Sequence, residues 1–266
     1  MNSIKKMMLS GALGCLISGM AYADGSSPQP VKPYWQDIQV VAVNKEKPRS
    51  SFMSYADRET ALTSRFEKSP YYSLLNGTWK FFFVDSYKDL PQNITDPSVN
   101  TSSWDDITVP GNWEVQGHGV AIYTNHGYEF KPKNPQPPLL PEANPVGVYR
   151  RDIEIPANWD NRDIYLHIGG AKSGLYVYLN GKEVGYSEDS KNPAEFLINK
   201  YLQPGKNVLT LKIFRWSTGS YLECQDFWRM SGIERDVFLW SQPKASIQDF
   251  RVVSTLDDTY TNGIFK

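Results

Sequence analysis

Acid–base chemistry has one dense reservoir in this chain. Glu223 and Asp226 stand three residues apart, with Glu234 and Asp236 close behind and the pair Glu188-Asp189 upstream. Two carboxyls held about 5 to 9.5 Å apart would suit cleavage of a glycosidic bond, one as acid and the other as nucleophile or base. Carboxylates on loops between strands more often face water, close turns or pair with neighbours such as Arg229 and Arg235, so the cluster is not read as a catalytic pair. Glu188-Asp189 is read as a polar turn. No Ser/His/Asp spacing, Gly-rich phosphate loop or histidine ligand pair is present, and His126 in Tyr123-Thr-Asn-His126 stands alone. The segment from Arg215 to Val237 is different in kind. Its Trp216, Tyr221 and Trp228 offer stacking faces, while Gln225, Asp226 and Arg229 can hydrogen-bond hydroxyls. The residues by themselves leave open whether these rings meet a sugar or pack the edge of a sheet.

The elements that would position them are strands. Among 266 residues, β-rich runs occur at Thr78–Val84, Ile107–Val109, Val148–Ile155, Ile164–Ile168, Leu175–Leu179, Glu183–Tyr186, Val208–Ile213 and Asp236–Trp240, each short and bounded by turn residues. Asn180-Gly181 between two of these runs is a hairpin signal, because both central residues accept positive φ. In Val208–Ile213, Leu209, Leu211 and Ile213 alternate with Thr210 and Lys212, the pattern of a strand with one face in water. A short helix is expected within Asp57–Phe66. The fold class is therefore all-β, an antiparallel sandwich or jelly roll. Gln242-Pro243-Lys244 marks a boundary, after which Ile247–Val253 reads as a further strand whose Phe250, Val252 and Val253 lack cover. The division expected is a signal peptide at 1–23, an extended arm at 24–60, a β-sandwich domain at 61–243, and at 244–266 the start of a second β domain that the chain does not complete.

Charge and cysteines exclude several classes. Lys plus Arg total 28 against 29 for Asp plus Glu, a net charge of −1, which offers no general attraction for nucleic acid or anionic membranes. Two cysteines, Cys15 and Cys224, and three histidines support neither a disulfide framework nor a zinc cluster. The 8 Trp, 16 Tyr and 12 Phe are many for a near-neutral chain and are compatible with sugar handling. Lys5-Lys6, the apolar run Met7–Met20 and the small-x-small end Ala21-Tyr22-Ala23 form a secretory signal peptide, so the protein is expected to be exported, and periplasmic in a bacterium. The run is too short to span a bilayer. Lipid attachment at Cys15 is the less favoured alternative, because Ala12 occupies the usual aliphatic position of that box.

The Arg215–Val237 segment closely resembles the β-galactosidases of glycoside hydrolase family 2. Further motifs are similar to that family's in the same order: Leu75-Asn-Gly-Thr-Trp-Lys-Phe81, Val109-Pro-Gly-Asn-Trp-Glu114, Ile122-Tyr-Thr-Asn125, Asn144-Pro-Val-Gly147, Tyr186-Ser-Glu-Asp-Ser190 and Pro193-Ala-Glu-Phe196. Trp228-Arg-Met-Ser-Gly-Ile233 points to the β-galactosidase branch. The resemblance runs from about Trp35 to Val253. It implies a jelly-roll sugar-binding domain, then an immunoglobulin-like domain that begins near residue 244, then a catalytic (β/α)₈ barrel beyond Lys266. The family's two catalytic glutamates lie in that barrel, so no catalytic residue is assigned here. An Asn and an Asp of the first domain reach the family's active site; their motifs match Asn125 and Asp226. The resemblance makes both substrate-binding residues and makes Asp226 also a ligand of a shared sodium ion, magnesium being left to the catalytic domain. The implied substrate is a β-galactoside such as lactose or a galactose-containing glycan, and the implied full-length enzyme is a homo-oligomer. The rival expectation is a stand-alone, non-catalytic galactose-binding or assembly module.

Overall fold

The computed structural model describes residues 32–130, 134–223 and 225–266. The signal-peptide assignment, Cys15, Cys224 and the beginning of the arm lie outside these residues.

The strands are β1 (Ala42–Val43), β2 (Tyr72–Leu74), β3 (Gly77–Val84), β4 (Asp105–Val109), β5 (Gly111–Asn112), β6 (Ile122–Thr124), β7 (Val146–Glu154), β8 (Arg162–Ile168) and β9 (Ala171–Lys172). They continue with β10 (Gly174–Leu179), β11 (Lys182–Ser187), β12 (Ala194–Leu197), β13 (Lys206–Phe214), β14 (Phe227–Arg229), β15 (Gly232–Ile233), β16 (Val237–Pro243), β17 (Ser254–Leu256) and β18 (Gly263–Phe265). One sheet runs in the order β1-β11-β10-β13-β7-β3-β4 and a second in the order β12-β8-β16-β2. All their pairings are antiparallel. One apolar cluster joins the facing sides of the two sheets. Trp79, Phe81, Tyr149, Val177 and Leu211 come from the first, and Leu166, Phe196 and Leu239 from the second. The result is the jelly-roll sandwich expected from the strand pattern. No helix among the described residues is long and apolar enough to cross a membrane.

Local chemistry accounts for the elements. Asn180 and Gly181 take φ of +52° and +77°, so the β10–β11 hairpin closes on a two-residue turn that matches strand twist. The short helix α1 (Arg58–Leu62) starts where the Asp57 side chain accepts from the Thr60 N–H, an N-cap that satisfies an otherwise orphan donor.

Much of the outer face of the seven-stranded sheet is covered, which corrects two expectations. The face of β13 opposite Leu209, Leu211 and Ile213 is largely covered rather than open to water. Thr210 is buried and accepts from the Arg150 guanidinium, which also donates to the carbonyls of Ile94, Asp96 and Val99. Lys212 lies over the rings of Tyr176, Tyr178 and Phe214, and burial lowers its pKa against the pull of Glu183. The arm, for its part, is not merely extended: Trp35 is buried in a second aromatic cluster with Tyr176, Tyr186 and Phe214, and β1 adds an edge strand to β11. Six of the eight tryptophans, Trp35, Trp79, Trp104, Trp113, Trp159 and Trp240, are buried. The aromatic content is thus mostly the material of these layers rather than of sugar platforms.

Beyond Pro243 the expected strand Ile247–Val253 does not form. The strand begins at Ser254, and β17 pairs with β18. Phe250, Val252 and Val253 are exposed, as anticipated, although Phe250 leans on Phe52 of the arm at 5.5 Å.

Candidate functional site

Apart from the two sheets, β6 and β14 form a small antiparallel ribbon in the register Ile122↔Arg229, Tyr123↔Trp228 and Thr124↔Phe227. Asn125 and Asp226 each stand one residue beyond the last pair, on opposite chains of the same end. The structure therefore brings the two predicted site residues together, although they lie far apart in sequence. Tyr123 donates its hydroxyl to Asp226 Oδ1 at 2.7 Å, and this bond to a carboxylate holds the tyrosine above its usual pKa. Its ring rests against Trp228 at 5.7 Å and 59°. On the other chain, His126 Nδ1 lies 2.7 Å from Asn125 Oδ1, and Thr124 Oγ1 donates to the His126 carbonyl. Asn125, His126, Gln225 and Asp226 are all exposed.

Buried charge fastens this ribbon to the sandwich. Arg229, 1% exposed, pairs with Glu129 at 3.4 Å and donates to the carbonyls of Glu223 and Thr124. Arg215 donates to the carbonyls of Val120 and Arg229 and lies 3.7 Å from Glu114. Burial raises the Glu114 pKa, opposed by the Ser231 N–H and by Arg215. Lys172 is buried beneath the Phe227 ring, and its pKa is lowered, chiefly by desolvation. Guanidinium groups suit this task because their fixed fork serves several carbonyls at once.

The surrounding segment divides cleanly. Trp228, 53% exposed, keeps a ring open to solvent, whereas Tyr221 packs on Tyr128 and Phe130 and Trp216 donates to Glu129. Arg229 is an anchor and not a ligand-facing group. The acidic cluster disperses as expected, but onto other partners: Glu223 accepts from the Ser190 N–H and hydroxyl, Glu234 pairs with Lys191, and Asp236 accepts from Asn76. Arg235 donates to the carbonyls of Gly169 and Lys191 instead of pairing with an acid. The polar turn expected at Glu188-Asp189 is also corrected. Asp189 does have a left-handed backbone, at φ +74°, and leads into the turn that starts at Ser190. Glu188, however, is 4% exposed and accepts from the Tyr186 hydroxyl, Thr218 Oγ1 and the Gly219 N–H. Burial pushes its pKa up, and those three donors oppose the shift.

A separate cavity of about 370 Å³ lies between the arm and the outer face of the four-stranded sheet, lined in part by Arg49, His167, Glu195 and Trp240. It contains neither Asn125 nor Asp226. Among the described residues no three His, Cys, Asp or Glu side chains gather into a metal-holding group. The ribbon end offers one carboxylate, two amides, a phenol, an imidazole and an open indole face. That set can hydrogen-bond hydroxyls and stack on a sugar ring. It holds no second carboxyl with which to break a glycosidic bond.

The family model described as glycosyl hydrolases family 2, sugar binding domain, matches residues 72–243. The chain belongs to glycosyl hydrolases family 2. A beta-galactosidase of Priestia megaterium is 41% identical over 234 residues, which are 87% of this chain and 23% of that protein. One of Psychromonas ingrahamii is 38% identical over 229 residues, 86% of this chain and 22% of its own length. The chain thus spans under a quarter of the length of these relatives. Among solved structures, a beta-glucuronidase of an uncultured Clostridium species superposes with a TM-score of 0.52 at 24% identity, covering 70% of this chain and 31% of that one. That likeness is one of fold. Both beta-galactosidase matches extend beyond the family-model region, so they take in part of the arm or of the residues after Pro243 as well.

Proposed function

We propose that this chain is the exported N-terminal part of a retaining β-galactosidase that hydrolyses terminal β-D-galactosyl residues, and that its ribbon end forms one wall of the galactose site. The carrying observation is that Asn125 and Asp226 flank the same exposed end of the β6–β14 ribbon in a family 2 sugar-binding domain. Relatives named beta-galactosidase support the substrate class. The two catalytic glutamates would belong to sequence beyond Lys266, with residues 244–266 beginning the intervening immunoglobulin-like domain. Asn125 and Asp226 would then act by binding and orienting the sugar while the barrel performs the chemistry. A sodium ion would draw one carboxylate oxygen from this segment, from Asp226, and its remaining ligands from elsewhere; such an ion would screen Asp226 and help seat a sugar hydroxyl. Magnesium in the catalytic domain and homo-oligomer formation of the full-length enzyme belong to the same proposal.

The test is a pair of measurements. Calorimetric titration of the 266-residue chain with galactose is expected to show millimolar affinity or none, because one wall of a pocket is present. In a family-length enzyme carrying this segment, Asp226→Ala is expected to cut galactoside turnover while leaving the unfolding temperature unchanged. Saturable binding by the 266-residue chain alone would favour a stand-alone galactose-binding module. Equal loss of folding and turnover in the variant would remove the binding role of Asp226.

A further inference from the structure

We propose that Tyr123 and His126 are positioning residues that orient the sugar-facing pair, so that Asn125 turns its NH₂ outward and Asp226 keeps Oδ2 clear of protein donors. The inference rests on the galactose-binding reading of Asn125 and Asp226 and adds two residues that neither the sequence motifs nor the family match assigns.

The geometry runs as follows. An ionised carboxylate has no proton to give, so the 2.7 Å contact makes Tyr123 the donor, takes one acceptor site of Asp226 Oδ1 and fixes the plane of the carboxylate. Oδ2 stays clear of protein donors. At Asn125 the amide oxygen can only accept, so His126 Nδ1 carries the proton in their 2.7 Å contact. The Asn125 amide group is thereby oriented with its NH₂ outward. A sugar hydroxyl both donates and accepts. An edge so oriented therefore reads two hydroxyls in opposite senses, one accepting from Asn125 and the other donating to Asp226.

These bonds are not needed to hold the ribbon. The ribbon is already fastened by buried Arg229 and Arg215, whereas Tyr123 is 55% exposed and Asn125, His126 and Asp226 are all exposed. Hydrogen bonds among solvent-facing side chains contribute little to folding, because water competes for each partner. Their value lies in orientation, and both orienting residues are themselves held in place. Tyr123 is fixed opposite Trp228 by the ribbon register, and the Thr124 hydroxyl bonds the His126 carbonyl at 2.6 Å.

Two readouts test the idea. Imidazole ¹⁵N–¹H correlation spectra of the 266-residue chain above the histidine titration range are expected to show His126 as the Nδ1–H tautomer, and Asn125→Ala to return it to Nε2–H. An Nε2–H tautomer in the unsubstituted chain overturns the proposal whatever the sugar does. In a family-length enzyme carrying this segment, Tyr123→Phe and His126→Ala are each expected to raise KM for a β-galactoside about tenfold, the order expected for one hydrogen bond to a charged or fixed partner, with kcat within about twofold. If Asn125→Ala and Asp226→Ala raise KM while Tyr123→Phe and His126→Ala do not, positioning is wrong and the galactose reading stands. If none of the four changes KM, the galactose reading itself fails.

Discussion

Replacing Glu195 by Ala should detach the arm from the sandwich at a cost that the structure allows to be worked out. The Glu195 carboxylate accepts from Arg49 Nε and Nη2 at 3.2 and 3.1 Å, stands 2.8 Å from His167 Nδ1, and accepts from Trp240 Nε1 at 3.0 Å. Arg49 also lies 4.4 Å over the Trp240 ring. Without the carboxylate, His167 and Arg49, at 18% and 16% side-chain exposure, still reach water. Trp240 at 2% does not. A stranded buried donor costs about 1–3 kcal/mol, and a broken buried pair about 3–5 kcal/mol, discounted here for the two partners that reach solvent. The expected sum is about 3 kcal/mol, or a fall of about 6–12 °C in Tm for a domain of this size. Arg49→Ala should cost only about 1 kcal/mol, because His167 and Trp240 continue to serve the carboxylate. Thermal and urea unfolding at pH 7 measure both. Burial raises the Glu195 pKa, but the bonds from His167 and Arg49 outweigh it, and the net value lies below the ordinary 4.5. The contribution is therefore present above about pH 4.5 and lost as pH falls through the folded-state value, so the unsubstituted chain and Glu195→Ala should converge in acid. Equal losses for Arg49→Ala and Glu195→Ala, or a gap between chain and variant that widens in acid, would refute the reasoning.

Other perturbations follow from the same contacts. A Cβ on Gly185 would stand 2.3 Å from the Val43 carbonyl and 2.7 Å from the Phe196 ring, so Gly185→Ala should expel β1 and expose the arm to limited proteolysis. Asn180→Ala puts a side chain with no polar group at φ +52° and removes bonds to Asn207 Oδ1, the Tyr201 carbonyl and the Val208 N–H; a loss of about 2–3 kcal/mol in urea unfolding is expected. Asp226→Ala, at an exposed position, should alter stability by less than about 0.5 kcal/mol in the same assay.

The long strands were legible in the sequence because their signals are local. Alternation marks β13, and Asn-Gly marks the β10–β11 turn. Strands β2, β6, β12 and β14 were not, since three or four residues carry no readable period and their partners arrive from distant sequence. Ile247–Val253 misled for the converse reason: an apolar run has β propensity, but a ladder needs a neighbour, and only its last residue, Val253, exchanges backbone bonds with Lys266 ahead of β17. The polar face of Val208–Ile213 looked solvated because nothing near Thr210 in sequence announces that Arg150 will cover it. Glu188 likewise carries the signature of a turn residue until Tyr186, Thr218 and Gly219 are seen to converge on it. Asn125 and Asp226 could be named only through motif resemblance. That Tyr123 and His126 stand beside them required the register of the ribbon.

That ribbon also bears on the order in which the molecule is assembled. Tyr123 and Asp226 are 103 positions apart, and most of the intervening chain is sandwich, including β7 through β13. Closing so long a loop for three ladder pairs is entropically unrewarding unless the intervening strands have already brought its ends together. The β6–β14 ribbon end is therefore expected to form late in folding, after the strands between them. A tyrosine-to-aspartate contact at the surface thus serves as a completion mark: a chain that displays it has its interior finished.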